Sequence, residues 1–332
     1  MVVLSRPVLD NFSLIETSET TANPSTVIPE IDLLDPHTGN LIVKACEEYG
    51  FFKVINHGIP VESVTKLEAE TIKFFELPQS EKDKTGTSTL NPFGYGNKRI
   101  GPNGDVGWIE YLLFSTSPQN CLSNFPGNSE IFWTLVNDYV SAVRHRLCGV
   151  SEMIADGLKI RPMNVLSRLL KDQKSDSCFR LNHYPPCPEH QAFSGQSLIG
   201  FGEHTDPQIL SALRSNNTSG LQICLRDGTW VSVPADQSSL FINVGDSLQV
   251  MTNGRFRSVR HRVLAGSLKS RVSMIYLGGP PLTEKIAPLP SLMEDGEEGL
   301  YKDLTWCEYK KAAYKTRLAE NRLSLFEKSA GQ

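Results

Sequence analysis

No C-x-x-C pair occurs in the sequence, and its seven cysteines, at 46, 121, 148, 178, 187, 224 and 307, are odd in number and scattered. That excludes an even disulfide framework and the spacing of a zinc finger, so reduced thiols are expected. No apolar run approaches the roughly 20 residues of a membrane span, and the opening MVVLSRPVLDNFSLIETSET has no apolar core of signal-peptide length. The expected compartment is the cytoplasm, where the sequons at Asn11, Asn216 and Asn217 would stay unused. Basic residues are outnumbered 33 to 37, for a formal net charge of −4, and form no long run. Nucleic acid is therefore not expected as a partner. There is no internal repeat, no low-complexity tract, and no surface stripe marking an obligate protein partner.

What is present is an ordinary globular composition: 332 residues, 39% hydrophobic and 21% charged, enough for a sizeable core. Residues 1–27 are rich in Ser, Thr and Glu without a period and read as a poorly ordered lead-in. Residues 28–170 form a helical region: GNLIVKACEEYGFF sets Leu41, Ala45, Tyr49 and Phe52 on one face, VESVTKLEAETIKFFEL does likewise, and IFWTLVNDYVSAVRHRLCGVSEMIADGL is the longest apolar helical pattern. Between these helices FFKVINHGIP reads as a strand. Residues 177–280 change to short apolar runs. LQICLRDGTWVSVP predicts two strands around Asp227-Gly228, and SLFINVGDSLQVMTNGRF predicts the same arrangement around Gly245-Asp246 and Asn253-Gly254. The fold class expected is mixed α+β, mainly β, with strands closing into a barrel or jelly roll. Residues 281–332 end the chain with a helix over DLTWCEYKKAAYKTRLAENRLSLF.

In the stretch FGEHTDPQ, His204 and Asp206 stand two apart, which on a strand points both to one face. His261 follows 55 residues later, at the start of HRVLAGSLKSRVSM. Read as a hairpin, that segment sets His261 opposite Ser273, with Arg271 about 7 Å along the same face. Two histidines and one carboxylate on one side of an ion leave three positions open, the arrangement of non-haem Fe(II) oxygenases. A 2-oxoacid can fill two of them and dioxygen the third. If the acid is 2-oxoglutarate, its far carboxylate would meet Arg271 and Ser273. The other histidines, His37, His57, His145, His183 and His190, are expected to be structural or solvated, with His183 facing away from its neighbours Asn182 and Tyr184.

The chain resembles the plant 2-oxoglutarate- and Fe(II)-dependent dioxygenase family across most of residues 28–325, through IPEIDL, FFKVINHGIP, RLNHYPPCP, GEHTDP, NVGDSLQVMTNGRFRSVRHRV and SRVSMIYL. The resemblance implies a double-stranded β-helix, or jelly roll, flanked by helices. It implies His204, Asp206 and His261 as iron ligands, Arg271 and Ser273 on the distal carboxylate of 2-oxoglutarate, and Asn182 and Tyr184 as further cosubstrate contacts. Within that family FGYGNKRIGPNGDVGWIEYLLF and the segment from Phe201 to Pro234 are similar to the gibberellin 2-oxidases. That implies 2β-hydroxylation of nineteen-carbon gibberellins, which inactivates the hormone. Such a substrate is a rigid apolar acid, and Tyr95, Lys98, Arg99, Trp108 and Tyr111 are the expected walls and cation of its pocket. The glycines at 94, 96, 101, 104 and 107 suggest a mobile loop over it. Two alternatives remain open on the sequence: a related dioxygenase acting on another plant metabolite, and a binding module with a silent metal site.

Overall fold

In the computed structural model the described residues are 12–16, 28–86, 92–101, 103–116, 125, 129–187, 196–266 and 268–328. Most of the lead-in, and with it Asn11, lies outside them, as do Cys121 and His190. Strands β1 (Leu14–Glu16) and β2 (Glu30–Asp32) come first. Helix α1 (Thr38–Glu48), strand β3 (Phe51–Ile55), helices α2 (Val61–Phe75) and α3 (Gln79–Lys82), and strands β4 (Gly94–Arg99) and β5 (Val106–Ser115) follow. The long α4 (Ser129–Gly157) and the short α5 (Ser167–Lys171) lead into the strand-rich half. There β6 (Cys178–Tyr184), β7 (Gln196–His204), β8 (Leu210–Ser215), β9 (Leu221–Cys224), β10 (Trp230–Ser232) and β11 (Leu240–Val244) precede α6 (Asp246–Met251). β12 (His261–Leu264), β13 (Arg271–Gly278) and α7 (Trp306–Lys315) complete the framework.

A short two-stranded pair of Lys285–Ile286 with Leu304–Thr305 stands apart, and strands β1 to β13 form two facing sheets. One runs β1-β7-β12-β9-β10 and the other β2-β3-β11-β8-β13-β6-β5-β4. The larger sheet is covered on both faces, which is why its strands read as near-continuous apolar runs. Its outward residues, among them Phe52, Leu112, Phe179, Leu181, Ala212, Ile242 and Met274, share a core with the stripe Phe132, Val136, Tyr139, Val143, Leu147, Val150 and Ile154 of α4. The alternate residues Phe51, Ile109, Leu213, Phe241 and Ile275 point into the barrel against Phe201, Ile223 and Val263 of the smaller sheet. This is the jelly roll the sequence led us to expect, and its open interior is the site.

Six local expectations are corrected. The segment 261–273 is not a hairpin: β12 pairs with β7 and β9 in the small sheet, and β13 with β6 and β8 in the large one. His261 and Ser273 therefore belong to opposite walls of the barrel. Residues after Gly245 form the helix α6 instead of a second strand, since buried Leu248, Val250 and Met251 all serve one core when wound helically. In α1 the inward stripe is Ile42, Ala45 and Cys46, one position away from Leu41, which is 41% exposed, while Phe52 belongs to β3. The C-terminal helix stops at Lys315 and is followed by turns and a short 3-10 segment at Arg322–Leu325. The glycine-rich stretch is largely the β4–β5 hairpin at the sheet edge, with only Gly101 and Gly104 in its turn. Part of the lead-in is also ordered, because β1 pairs with β7. The Asp227-Gly228 turn does join β9 to β10, as read from the sequence.

Candidate active site

His204 ends β7, Asp206 lies two residues on in the following loop, and His261 opens β12 directly opposite His204. His204 Nδ1 bonds Gly202 O at 2.8 Å, and His261 Nδ1 bonds Val259 O at 3.1 Å. A carbonyl can only accept, so each Nδ1 carries the proton and each Nε2 keeps a free lone pair. Both Nε2 atoms face Asp206 Oδ1, at 3.7 and 3.6 Å. Asp206 Oδ2 is turned the other way, accepting from Ser211 Oγ and, at 3.2 Å, from Asn243 Nδ2.

The three ligand atoms lie within 4.8 Å of one another. Ligand atoms about 2.1 Å from a shared ion and at right angles stand about 3 Å apart, so a small inward shift would close this site on a metal. Protonation states suit it as well. Burial, then the facing His261, push the His204 imidazole well below its ordinary range and keep it neutral. Burial pushes the Asp206 carboxyl up, but the facing imidazoles and the bonds from Ser211 and Asn243 outweigh it and hold it below the usual Asp value. The neutral His204 imidazole, the Asp206 carboxylate and His261 Nε2 turned to the same point, beside an open cavity, fit Fe(II) with free coordination positions.

The loop that carries Asp206 is fixed from behind by α6. Asp246 N donates to Asp206 O at 2.8 Å, and Thr205 Oγ1 donates to the Asp246 carboxylate at 3.0 Å. Gly245 allows this approach, since a Cβ there would stand 1.9 Å from Gln208 O.

Across the barrel, the register of β13 on β6 sets Arg271 beside Tyr184 and Ser273 beside Asn182. Arg271 is 1% exposed, with its guanidinium 5.3 Å from the Tyr184 ring centroid. Its Nε and Nη1 have no protein partner, and neither has the Ser273 hydroxyl. Buried guanidinium donors left unpaired are costly, and a carboxylate offering two oxygens satisfies them. The metal ligands and, on the opposite wall, Asn182, Tyr184 and Ser273 line one cavity of about 970 Å³, counted to its open mouth, and Arg271 is buried beside Tyr184 behind that wall.

The five residues expected at the substrate do not line that cavity. Tyr95 donates to Glu110 Oε2 at 2.6 Å on the helix-covered face of the sheet. Lys98 and Arg99 are exposed at the end of β4. Trp108 donates to Pro185 O at 2.8 Å and packs edge-on against Phe12. Tyr111 lies beneath the guanidinium of Arg180, 3.9 Å from ring centroid to Cζ. His183 does face away from Asn182 and Tyr184, but it is neither solvated nor idle, bonding Glu110 Oε1 at 2.7 Å and Ser270 Oγ at 2.6 Å. The sequence reading passed over Arg180, Phe201 and Arg322 of the cavity wall and the Asp206 supports Ser211 and Asn243. Arg180 was accessible by simple alternation, two residues before Asn182 and four before Tyr184.

Residues 175–280 match the 2OG-Fe(II) oxygenase superfamily, and residues 28–128 match the N-terminal region of non-haem dioxygenases described from morphine synthesis. The chain is 62% identical to the gibberellin 2-beta-dioxygenase of Phaseolus coccineus over 99% of both chains. It is 58% identical to gibberellin 2-beta-dioxygenase 1 of Pisum sativum, again over 99% of both. The chain belongs to the gibberellin 2-beta-dioxygenase family of 2OG-Fe(II) oxygenases. Members of that superfamily use Fe(II) and 2-oxoglutarate, and the triad of this chain offers a place for the ion. The fold is shared with JOX2 solved in complex with 2OG, Fe and JA, at TM-score 0.81 and 24% identity over 91% of this chain and 89% of that one. It is shared too with the rice dioxygenase for auxin oxidation, at TM-score 0.74 and 22% identity over 91% and 100%.

Proposed function

We propose that the chain hydroxylates nineteen-carbon gibberellins at carbon 2 from the β face, inactivating the hormone, and does so in the cytoplasm. The observation that carries the reading is identity of 56 to 62% to three gibberellin 2-beta-dioxygenases along nearly the whole chain. The cytoplasm is supported by Cys46, Cys148, Cys178, Cys224 and Cys307, none of which is in a disulfide, in keeping with a reducing compartment.

His204, Asp206 and His261 hold Fe(II), and Arg271 with Ser273 takes the distal carboxylate of 2-oxoglutarate, flanked by Asn182 and Tyr184. When bound, Fe(II) would supply the use of dioxygen, one oxygen atom entering succinate as 2-oxoglutarate is oxidatively decarboxylated to succinate and carbon dioxide and the other entering a C–H bond of the substrate. The chain's own contribution is placement. Arg271 fixes one end of the cosubstrate, and the Nδ1 bonds to Gly202 and Val259 fix the imidazole planes. Phe201, Leu213, Val263 and Ile275 give the cavity an apolar wall that excludes water from the reacting carbon. A silent binding module would have no use for two unpaired buried guanidinium donors on Arg271 beside the cavity wall that faces a preformed triad.

The test is anaerobic reconstitution with Fe(II) and 2-oxoglutarate, then air and a panel of gibberellins, with succinate and product measured by mass spectrometry. Succinate matched by a 2β-hydroxylated nineteen-carbon gibberellin is the expected result. Succinate with no hydroxylated gibberellin would discard the substrate, and no succinate at all would discard the chemistry.

A further inference from the structure

The charges around the cavity do not balance. Among the described lining residues Asp206 is the one carboxylate, while Arg180 from β6 and Arg322 from the segment after α7 both reach the wall. In the loaded enzyme the two charges of Fe(II) and the one on Arg271 are matched by the two carboxylates of 2-oxoglutarate and by Asp206. Arg322 has its own counter-charge in nearby Asp246 and spends Nη1 on Thr205 O at 3.3 Å, although its Nε is free. Arg180 is left over. Its neighbouring carboxylate Asp176 is taken by Lys310 at 2.6 Å, and no carboxylate among the described residues pairs with Arg180.

The local geometry says what the leftover charge is for. Arg180 Cζ stands 3.9 Å from the Tyr111 ring centroid and 5.1 Å from that of Phe201, so two aromatic faces hold the guanidinium plane in place. Nε donates to Asn182 Oδ1 at 2.7 Å. Nη2 is buried and has no partner. A guanidinium clamped on both sides, with one donor free and a net positive charge at an apolar cavity wall, is a receptor for an anion.

We infer that Arg180 binds the carboxylate of the substrate through Nη2. This rests on the gibberellin reading above, since a gibberellin is an apolar ring system bearing a carboxylate. The acid group would be anchored on β6, on the wall opposite the metal ligands, and the ring system would extend from it along Ile275, Leu213 and Phe201 toward them. Tyr111, expected from the sequence to touch the substrate, would then act behind it by holding Arg180.

The experiment is anaerobic calorimetric titration of a gibberellin and of its methyl ester into enzyme loaded with Fe(II) and 2-oxoglutarate, for wild type, Arg180→Met and Arg322→Met. Wild type and Arg322→Met are expected to bind the acid roughly 10- to 100-fold more tightly than the ester, and Arg180→Met to bind the two within about threefold. Any disturbance of Asn182 in Arg180→Met weakens acid and ester alike, so their ratio isolates the charge. A wild-type ratio retained in Arg180→Met overturns the assignment, as does a ratio lost only in Arg322→Met. If wild type binds and hydroxylates the acid but shows no preference over the ester, Arg180 falls and the substrate reading stands. If wild type binds neither compound, the substrate reading falls and takes Arg180 with it.

Discussion

Ser211 Oγ donates to Asp206 Oδ2, and that bond decides which carboxylate oxygen faces the two histidines. With Asn243 on the same oxygen, Oδ1 is left as the ligand atom. Partners of this kind tune metal affinity by about 10- to 100-fold. Ser211→Ala should weaken Fe(II) binding within that range in an anaerobic titration while the fold is kept. An unchanged dissociation constant would mean that Asn243 alone suffices to turn the carboxylate.

Removing a ligand acts more severely. His204→Ala or Asp206→Ala should show no turnover, and both should lose the rise in melting temperature that wild type gains on adding metal, because that rise measures binding to the folded state. A metal-loaded His204→Ala protein with full activity would remove His204 from the site.

Arg271→Ala separates cosubstrate binding from chemistry. A charge-assisted bond is worth about 1.5–3 kcal/mol, so KM for 2-oxoglutarate should rise roughly 10- to 150-fold while kcat at saturation changes less. Arg271→Lys should recover part of the loss, since it keeps the charge and lacks the planar fork. An unaltered KM in Arg271→Ala would contradict the placement.

The protonation state of His204 predicts a pH dependence in the metal-free protein. Its imidazole is held well below 6.5, by burial first and by His261 second, whereas the unfolded chain protonates it normally. Below pH 6.5 the unfolded state therefore binds more protons, so the stability is complete above that pH and is lost as the pH falls toward the depressed folded value. The melting temperature of metal-free enzyme should drop between pH 7.5 and 5.5, and the drop should be smaller in His204→Gln. Parallel curves for the two proteins would contradict a neutral His204.

The iron triad was legible because its ligands need short local spacing: His204 and Asp206 are two apart, and one remote histidine completes the set. Arg271 and Ser273 were assigned to the cosubstrate for a reason that did not survive. The hairpin that was to bring them beside His261 does not exist, and they reach the site from the other sheet. Sequence fixes which residues alternate on a strand but not which strand pairs with which, and in a jelly roll consecutive strands cross between sheets. The same gap explains the substrate residues. Tyr95 and Trp108 carry the right chemistry, yet the pleat of β4 and β5 and the neighbouring layers decide which side each faces. Arg180 obeys the alternation seen in Asn182 and Tyr184, and only the three-dimensional charge count makes it conspicuous.

Behind the cosubstrate wall, Lys82 Nζ stands 2.6 Å from Glu110 Oε2, with only 9 and 10% of the two side chains exposed. Tyr95 donates to the same oxygen and His183 bonds the other. Burial pushes the Glu110 carboxyl up, but the bonds from His183, Lys82 and Tyr95 win and hold it below its ordinary value. Deleting the carboxylate would strand a buried ammonium. Breaking such a pair typically costs about 3–5 kcal/mol, so Glu110→Ala should lose that much in urea unfolding. The double variant Lys82→Met with Glu110→Gln should recover much of it, because no charge is then left unpaired. A Glu110→Ala loss below about 1 kcal/mol would mean that water reaches Lys82, and that this network does not brace β5 and β6 behind Asn182 and Tyr184.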